Sequence, residues 1–219
     1  MQDFSMLLGY EFDDASLLEK ALTHRSWTAE NPSSEHNERM EFLGDAVLQL
    51  SVTQYLYENY PDLSEGQMAK VRASCVSGAQ LAEVASELGL GRLVRMGTGE
   101  AASGGRKKHS ILADAMEAVL AAVYLDSDIQ QARSVVLGHW AGIVDAKAKD
   151  PGRRDYKTRY QEVLAARGLR PEYDVHGSGP DHKRHFVATL KVEGEVVGVG
   201  EGRSKKEAQQ AAARAALGE

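Results

Sequence analysis

Four carboxylates stand out by the company they keep. The segment Ile111 to Leu125 reads ILADAMEAVLAAVYL, and thirteen of its fifteen residues are apolar. The two exceptions, Asp114 and Glu117, lie three apart and so share one face of a helix. A helix that is apolar nearly all round is buried. Carboxylates inside it must be paired, protonated or bound to a cation, and the segment contains no Lys or Arg. EFLGDAVLQL, Glu41 to Leu50, repeats the pattern. Glu41 and Asp45 are four apart, Glu38 precedes them on the same side, and Phe42, Leu43, Ala46, Val47 and Leu48 surround them.

Packed together, two such helices bring four carboxylates into one cleft. Each like-charge pair at about 4 Å costs about 4 kcal/mol at an effective dielectric of about 20. Protonation of some members relieves this, and so does a hard cation. All-oxygen ligands favour Mg²⁺, Mn²⁺ or Ca²⁺ over zinc. Cys75 is the only cysteine, and neither helix holds a histidine pair at ligand spacing or the Glu-x-x-His spacing of di-iron sites. The bland alternative is that the acids pair with Arg25, Arg39, Lys70 or Arg72 and merely hold the core.

The elements that must position these groups are helical. Apolar spacing predicts helices over Asp14–His24, Glu38–Tyr57, Ser77–Leu88, Ile111–Leu125 and Asp128–Asp145. Ser64 with Gln67 forms a capping-box pair that opens another. Four glycines between Gly97 and Lys108 predict a mobile loop. No strand pattern occurs before residue 150. The charged stretch AKAKDPGRR, with its Pro-Gly pair, predicts a linker at 147–154 between a domain over 1–146 and another over 155–219.

Beyond the linker the periodicity changes. Asp155–Arg167 reads as a helix, and Glu172–Gly177, His185–Val192 and Glu195–Gly202 as strands. Glu193-Gly194 is a hairpin-type turn. Ser204–Leu217 is an alanine-rich helix, with Ser204 and Glu207 at capping-box spacing. The fold class is thus an all-α domain followed by a small α+β domain of order α-β-β-β-α. Lys205 and Lys206 in a first helical turn oppose the helix dipole, which an anion would offset. Few aromatic residues lie on the strands, which argues against stacking of single-stranded bases.

Charge separates the two parts. Residues 1–146 hold 11 Lys+Arg against 21 Asp+Glu, whereas 147–219 hold 15 against 11. The basic tail suits a polyanion. With 42% apolar residues the chain can bury a core, and a lone cysteine excludes an intrachain disulfide and fits a reducing compartment. There is no signal-like N-terminal pattern and no apolar run long enough for a bilayer, so the expectation is a cytoplasmic protein with no membrane partner.

Several blocks together resemble a known family. HNERMEFLGDAVL at His36–Leu48 strongly resembles the signature of the ribonuclease III family. ALTHRS at Ala21–Ser26, SEGQMAKVRA at Ser64–Ala73 and SILADAMEAVLAAVYLD at Ser110–Asp126 match its other blocks in order. KTRYQE at Lys157–Glu162, GPDHKRHF at Gly179–Phe186 and SKKEAQQAAA at Ser204–Ala213 are similar to a double-stranded RNA-binding domain. The resemblance implies a homodimer, of the short bacterial form, that hydrolyses double-stranded RNA with Mg²⁺, Mn²⁺ being able to substitute. The products it implies are 5′-phosphate and 3′-hydroxyl ends, and the processes rRNA and mRNA processing. A non-catalytic double-stranded RNA-binding protein is the alternative, as is a hydrolase of small phosphates.

The resemblance also implies roles. Glu41, Asp114 and Glu117 match metal ligands, and Asp45 and Glu117 match catalytic residues, with Asp45 either a ligand or a group that orients the water. Glu38 and Glu65 match supporting acids, and Phe42 matches a residue packed across the dimer interface. Thr158, Gln161 and Glu162 match minor-groove contacts, His182 a loop entering the next minor groove, and Lys205 and Lys206 phosphate contacts. The departure is Gln209, where many such domains carry a third lysine.

Overall fold

The computed structural model describes residues 2–149, 151, 156–179 and 184–218. The chain divides into two compact units, Met1–Pro151 and Gly152–Glu219.

The first unit is built from helices α1 Gln2–Leu8, α2 Ala15–Ala21, α3 Arg25–Glu30, α4 Glu38–Asn59, α5 Glu65–Cys75, α6 Gly78–Glu87, α7 Thr98–Ala102, α8 His109–Asp126 and α9 Ile129–Ala148. Polar caps explain where several begin. Asp14 accepts the Ser16 N–H at 2.9 Å, and Asp128 accepts that of Gln131 at 2.9 Å. The Ser64–Gln67 capping box forms in both directions. α9 runs on to Ala148, past the point at 147 where the charged stretch suggests a linker.

α8 is the axis of this unit. Its residues from Ala118 to Val123 have no exposed surface, and α4 and α6 pack along it. Burial of its Leu and Val side chains stabilises by about 1.5–3 kcal/mol each. α4 can lie against α8 because residue 44 is glycine: a Cβ there would stand 1.7 Å from the Glu117 carbonyl oxygen. The start of α4 is tied down separately. Buried Asn37 donates its amide to the Ala21 carbonyl at 3.1 Å, and its backbone N–H to the Thr23 carbonyl at 2.9 Å. At the other end of α8, Asp126 accepts from the Tyr10 hydroxyl at 2.8 Å and from the N–H groups of Asp13 and Asp14 at 2.9 Å.

The glycine-rich stretch 97–108 is not the open loop its composition suggests. It folds into α7 and a 3-10 turn at Gly105–Lys107. Glu30 accepts the Thr98 N–H at 2.7 Å. The Arg106 guanidinium donates to the carbonyls of Gly91, Arg92 and Val94 at 3.0, 3.3 and 2.9 Å. These are long-range polar ties, which hydrophobic periodicity does not register.

The second unit contains α10 Tyr156–Ala165, β1 Pro171–Ser178, β2 His185–Val192, β3 Glu195–Gly202 and α11 Lys205–Leu217. The sheet is antiparallel in the order β1-β2-β3. Glu193 and Gly194 both adopt positive φ, 51° and 87°, as a tight hairpin turn requires. Ala188 and Leu190 of β2 pack on Ala208, Ala212 and Ala213 of α11. The small residues permit a close approach, since a Cβ at Gly200 would lie 2.1 Å from the Ala212 nitrogen. The cap of α11 differs from expectation. Ser204 accepts the Glu207 N–H at 3.1 Å, but Glu207 accepts from the Arg203 N–H at 2.8 Å instead of closing the box on Ser204.

Gly44→Ala is expected to destabilise the protein by about 1–3 kcal/mol or more through overpacking. Gly138→Ala, at an exposed helical position where a Cβ meets nothing within 4 Å, is expected to stabilise it by about 0.5–1 kcal/mol. Denaturant unfolding of the two variants checks the contrast.

Candidate active site

The α4–α8 contact brings three carboxylates together. Carboxylate oxygens of Glu41, Asp114 and Glu117 all lie within 4.8 Å of one another. All three side chains are partly buried, and among the described residues no ion pair neutralises them. Arg25, one of the cations available to hold them, instead faces Glu38 at 3.5 Å. Arg72 donates to the Thr53 hydroxyl at 3.1 Å. The spacing within each helix places the acids on one face, and the glycine at 44 lets the two faces meet.

Asp45 stands outside this triplet. Both its oxygens accept from the Gln49 amide nitrogen one turn along α4, at 2.9 and 2.8 Å. It is still close enough to be the largest charge effect on Glu117. Glu38 lines the cleft, with His36 Nδ1 at 3.7 Å as a further neighbour. Glu65 does not line it. It borders a separate recess of about 120 Å³ with Thr53, Leu56, Tyr57 and Met68.

The cleft has a volume of about 790 Å³ and a lining of mixed charge. Glu38, Glu41, Glu100 and Asp114 line it together with His24, Arg25 and Lys108, and Arg25 and Lys108 sit beside Glu38 and Glu100. The sequence blocks contained His24 without a role and Arg25 only as a cation that could pair with the acids. Glu100 and Lys108 were hidden in the glycine-rich stretch, and only its folding carries them to the cleft, where they pair with each other.

Burial dominates the titration of the triplet. Desolvation, then the charges of Asp45, Glu41 and Asp114, push the Glu117 carboxyl up to about 8. Desolvation also raises Asp114, against opposing effects of His24 and Arg25. Glu41 rises through desolvation and then Asp114 and Glu38. Burial lowers the His24 imidazole, so it is held toward its neutral form. Without a cation, then, Glu117 keeps a proton at neutral pH. A site of three converging oxygens that cannot all ionise together is matched to a hard divalent cation.

Residues 14–141 match the family model described as ribonuclease-III-like, more than half of the chain. The chain belongs to the ribonuclease III family. Residues 156–219 match the double-stranded RNA binding motif. The chain is 51% identical to the ribonuclease 3 of Thermobifida fusca over 218 residues, covering 99% of this chain and 90% of that protein. It is 49% identical to the ribonuclease 3 of Caldanaerobacter subterraneus subsp. tengcongensis, covering 96% and 93%. The crystal structure of the nuclease domain of Campylobacter jejuni ribonuclease III is similar, with TM-score 0.61 and 39% identity, over 65% of this chain and 94% of that one. A second structure of that domain, at 39% identity and TM-score 0.60 over 64% of this chain and 95% of that one, is described as flexible in a region involved in dimer formation. The chain is therefore a ribonuclease III-type endoribonuclease with a double-stranded RNA-binding module.

In that module, Thr158, Gln161 and Glu162 lie on α10, the latter two exposed, and Lys205 and Lys206 are exposed in the first turn of α11. His182 lies outside the described residues. No helix among the described residues is long and apolar enough to cross a membrane.

The raised carboxyl of Glu117 makes stability pH-dependent. In the unfolded chain the group has its ordinary value of 4.5. Between about pH 5 and 8 the folded protein therefore holds a proton that the unfolded chain has released, and stability falls as pH rises through this window. Thermal unfolding in a chelator is expected to show this loss, on the order of a few kcal/mol, and Glu117→Gln is expected to flatten it. Parallel profiles for the two proteins would refute the assignment.

Proposed function

We propose that this enzyme hydrolyses double-stranded RNA with Mg²⁺, or Mn²⁺ in its place, leaving 5′-phosphate and 3′-hydroxyl ends. The observation that carries this reading is the triplet Glu41, Asp114 and Glu117, whose oxygens lie within 4.8 Å of one another. The donor set fits a hard cation by its all-oxygen chemistry and by the proton that Glu117 keeps without one. In this reading all three acids hold the cation. A divalent cation bound there supplies Lewis acidity, acidifying water and stabilising charge on the leaving oxygen. Asp45, held by Gln49 beside Glu117, orients the attacking water with Glu117. Glu38 and Glu65 support from further out. Arg25 and Lys108, which also line the cleft, attract and orient the phosphodiester backbone.

Recognition falls to the second unit, and we take 1–146 as the nuclease part, 147–154 as linker and 155–219 as the RNA-binding part. Thr158, Gln161 and Glu162 meet one minor groove, His182 the next, and Lys205 and Lys206 the intervening phosphates. A-form duplex is selected by shape and 2′-hydroxyls with little base reading. Such substrates suit roles in rRNA and mRNA processing in the cytoplasm.

The homodimer is supported by a self-complementary face. Phe42, Leu50 and Tyr57 are 83%, 53% and 75% exposed along α4. The apolar recess beside Tyr57 opens next to the same helix. A knob and a socket on one face suit an isologous two-fold contact, with Phe42 of each copy entering the other's recess. Two clefts related by that axis would cut opposite strands.

Wild-type protein with Mg²⁺ is expected to cut a long RNA duplex, sparing single-stranded RNA and duplex DNA. Glu117→Gln is expected to lose at least about a hundredfold in rate, as does removal of a key charge-stabilising group in other enzymes, while still binding the duplex. Phe42→Asp is expected to sediment as a monomer. Cleavage by Glu117→Gln at the wild-type rate would overturn the site, and a dimeric Phe42→Asp the interface.

A further inference from the structure

One lysine of the RNA-binding module has an unusual setting. Gln209 lies one turn along α11 from Lys205 and Lys206, where the family resemblance leads one to expect a third cation. Its side chain is engaged from another helix. Lys157, in the first turn of α10, donates its ammonium to Gln209 Oε1 at 2.8 Å. The Lys157 backbone N–H donates to Gln210 Oε1 at 3.1 Å. The residue is thus tethered to α11 by both its backbone and the tip of its side chain.

The consequence is electrostatic. The Lys157 charge sits one hydrogen bond from the end of side chain 209, so a lysine at 209 would put its own ammonium in nearly the same place. The other neighbour of Lys157 Nζ is the Tyr173 ring, 4.9 Å away. Neither neighbour carries charge: Gln209 is an amide, and burial pushes the Tyr173 phenol up to about 12. Lys20, Arg95, Lys108 and Arg133 each face a carboxylate instead. Among the described residues no carboxylate faces the Lys157 ammonium, and a third N–H remains after the Gln209 and ring contacts. The tether also removes part of the entropy that a free lysine loses on binding.

We propose that Lys157, docked on Gln209, is a phosphate-binding cation of the RNA-binding module and supplies from α10 the charge that position 209 lacks. The proposal rests on duplex-RNA binding by this module.

The test is fluorescence anisotropy of a labelled RNA duplex with the full chain, in a chelator so that the RNA stays intact, over a range of KCl concentrations. Lys157→Gln is expected to weaken binding about three- to tenfold near 0.1 M salt and to lower the slope of log K against log salt by about one contact. Gln209→Leu removes the tether but keeps the charge, so it is expected to keep the slope. The exchange Lys157→Gln with Gln209→Lys is expected to restore the slope. Circular dichroism melting reports folding, and Lys157→Met, which keeps its stem against Tyr173, replaces Lys157→Gln if that variant unfolds. An unchanged slope in a folded Lys157 variant, or no recovery in the exchange, would overturn the proposal while leaving duplex binding intact. A wild-type chain that binds no duplex would overturn the duplex-RNA reading and this proposal with it.

Discussion

The nuclease unit depends on how closely α4 approaches α8. A glycine at 44 lets α4 rest against the Glu117 carbonyl, where a Cβ would stand only 1.7 Å away. That contact sets the distance between Glu41 on one helix and Asp114 and Glu117 on the other. The surrounding ties serve the same geometry: Asn37 anchors the start of α4 and Asp126 the end of α8. The result is a rigid pair of helices holding an electrostatic conflict between them. Among the described residues no ion pair relieves that conflict, and burial with the neighbouring acids raises Glu117 to about 8. Such stored repulsion makes sense where an exogenous cation completes the site.

The two units divide opposite electrostatic tasks. The first has a marked excess of acid, and the second an excess of base. An acidic cleft on its own repels a polyanion, but this one also contains Arg25 and Lys108 in its lining. The second unit exposes Lys205 and Lys206 and sets the Lys157 ammonium against the Gln209 amide. Excess acid and excess base are thereby carried by different parts of the chain.

Much of this was legible in the sequence because it is local. Asp114 and Glu117 announce themselves as the two exceptions in the apolar segment Ile111 to Leu125, and Ser64 with Gln67 marks a helix start that forms as read. What was not legible depends on long-range contacts. The stretch 97–108 looks loose from its glycines, yet its own Arg106 ties it to the Val94 carbonyl and Glu30 holds it from outside, which brings Glu100 and Lys108 to the cleft. The hold of Gln49 on Asp45 was similarly invisible, because the i,i+4 amide is meaningful only once the triplet is seen to exclude Asp45. Glu207 shows the converse: the right spacing for a capping box, but a different N–H captured.

In the proposed reading a divalent cation resolves the repulsion among Glu41, Asp114 and Glu117. Calorimetric titration of Mg²⁺ into the full chain at pH 7, repeated in buffers of different ionisation enthalpy, tests it directly. Cation binding is expected to expel about one proton per site, and Asp114→Asn to weaken binding severely. Binding without proton release, or undiminished binding by Asp114→Asn, would contradict it.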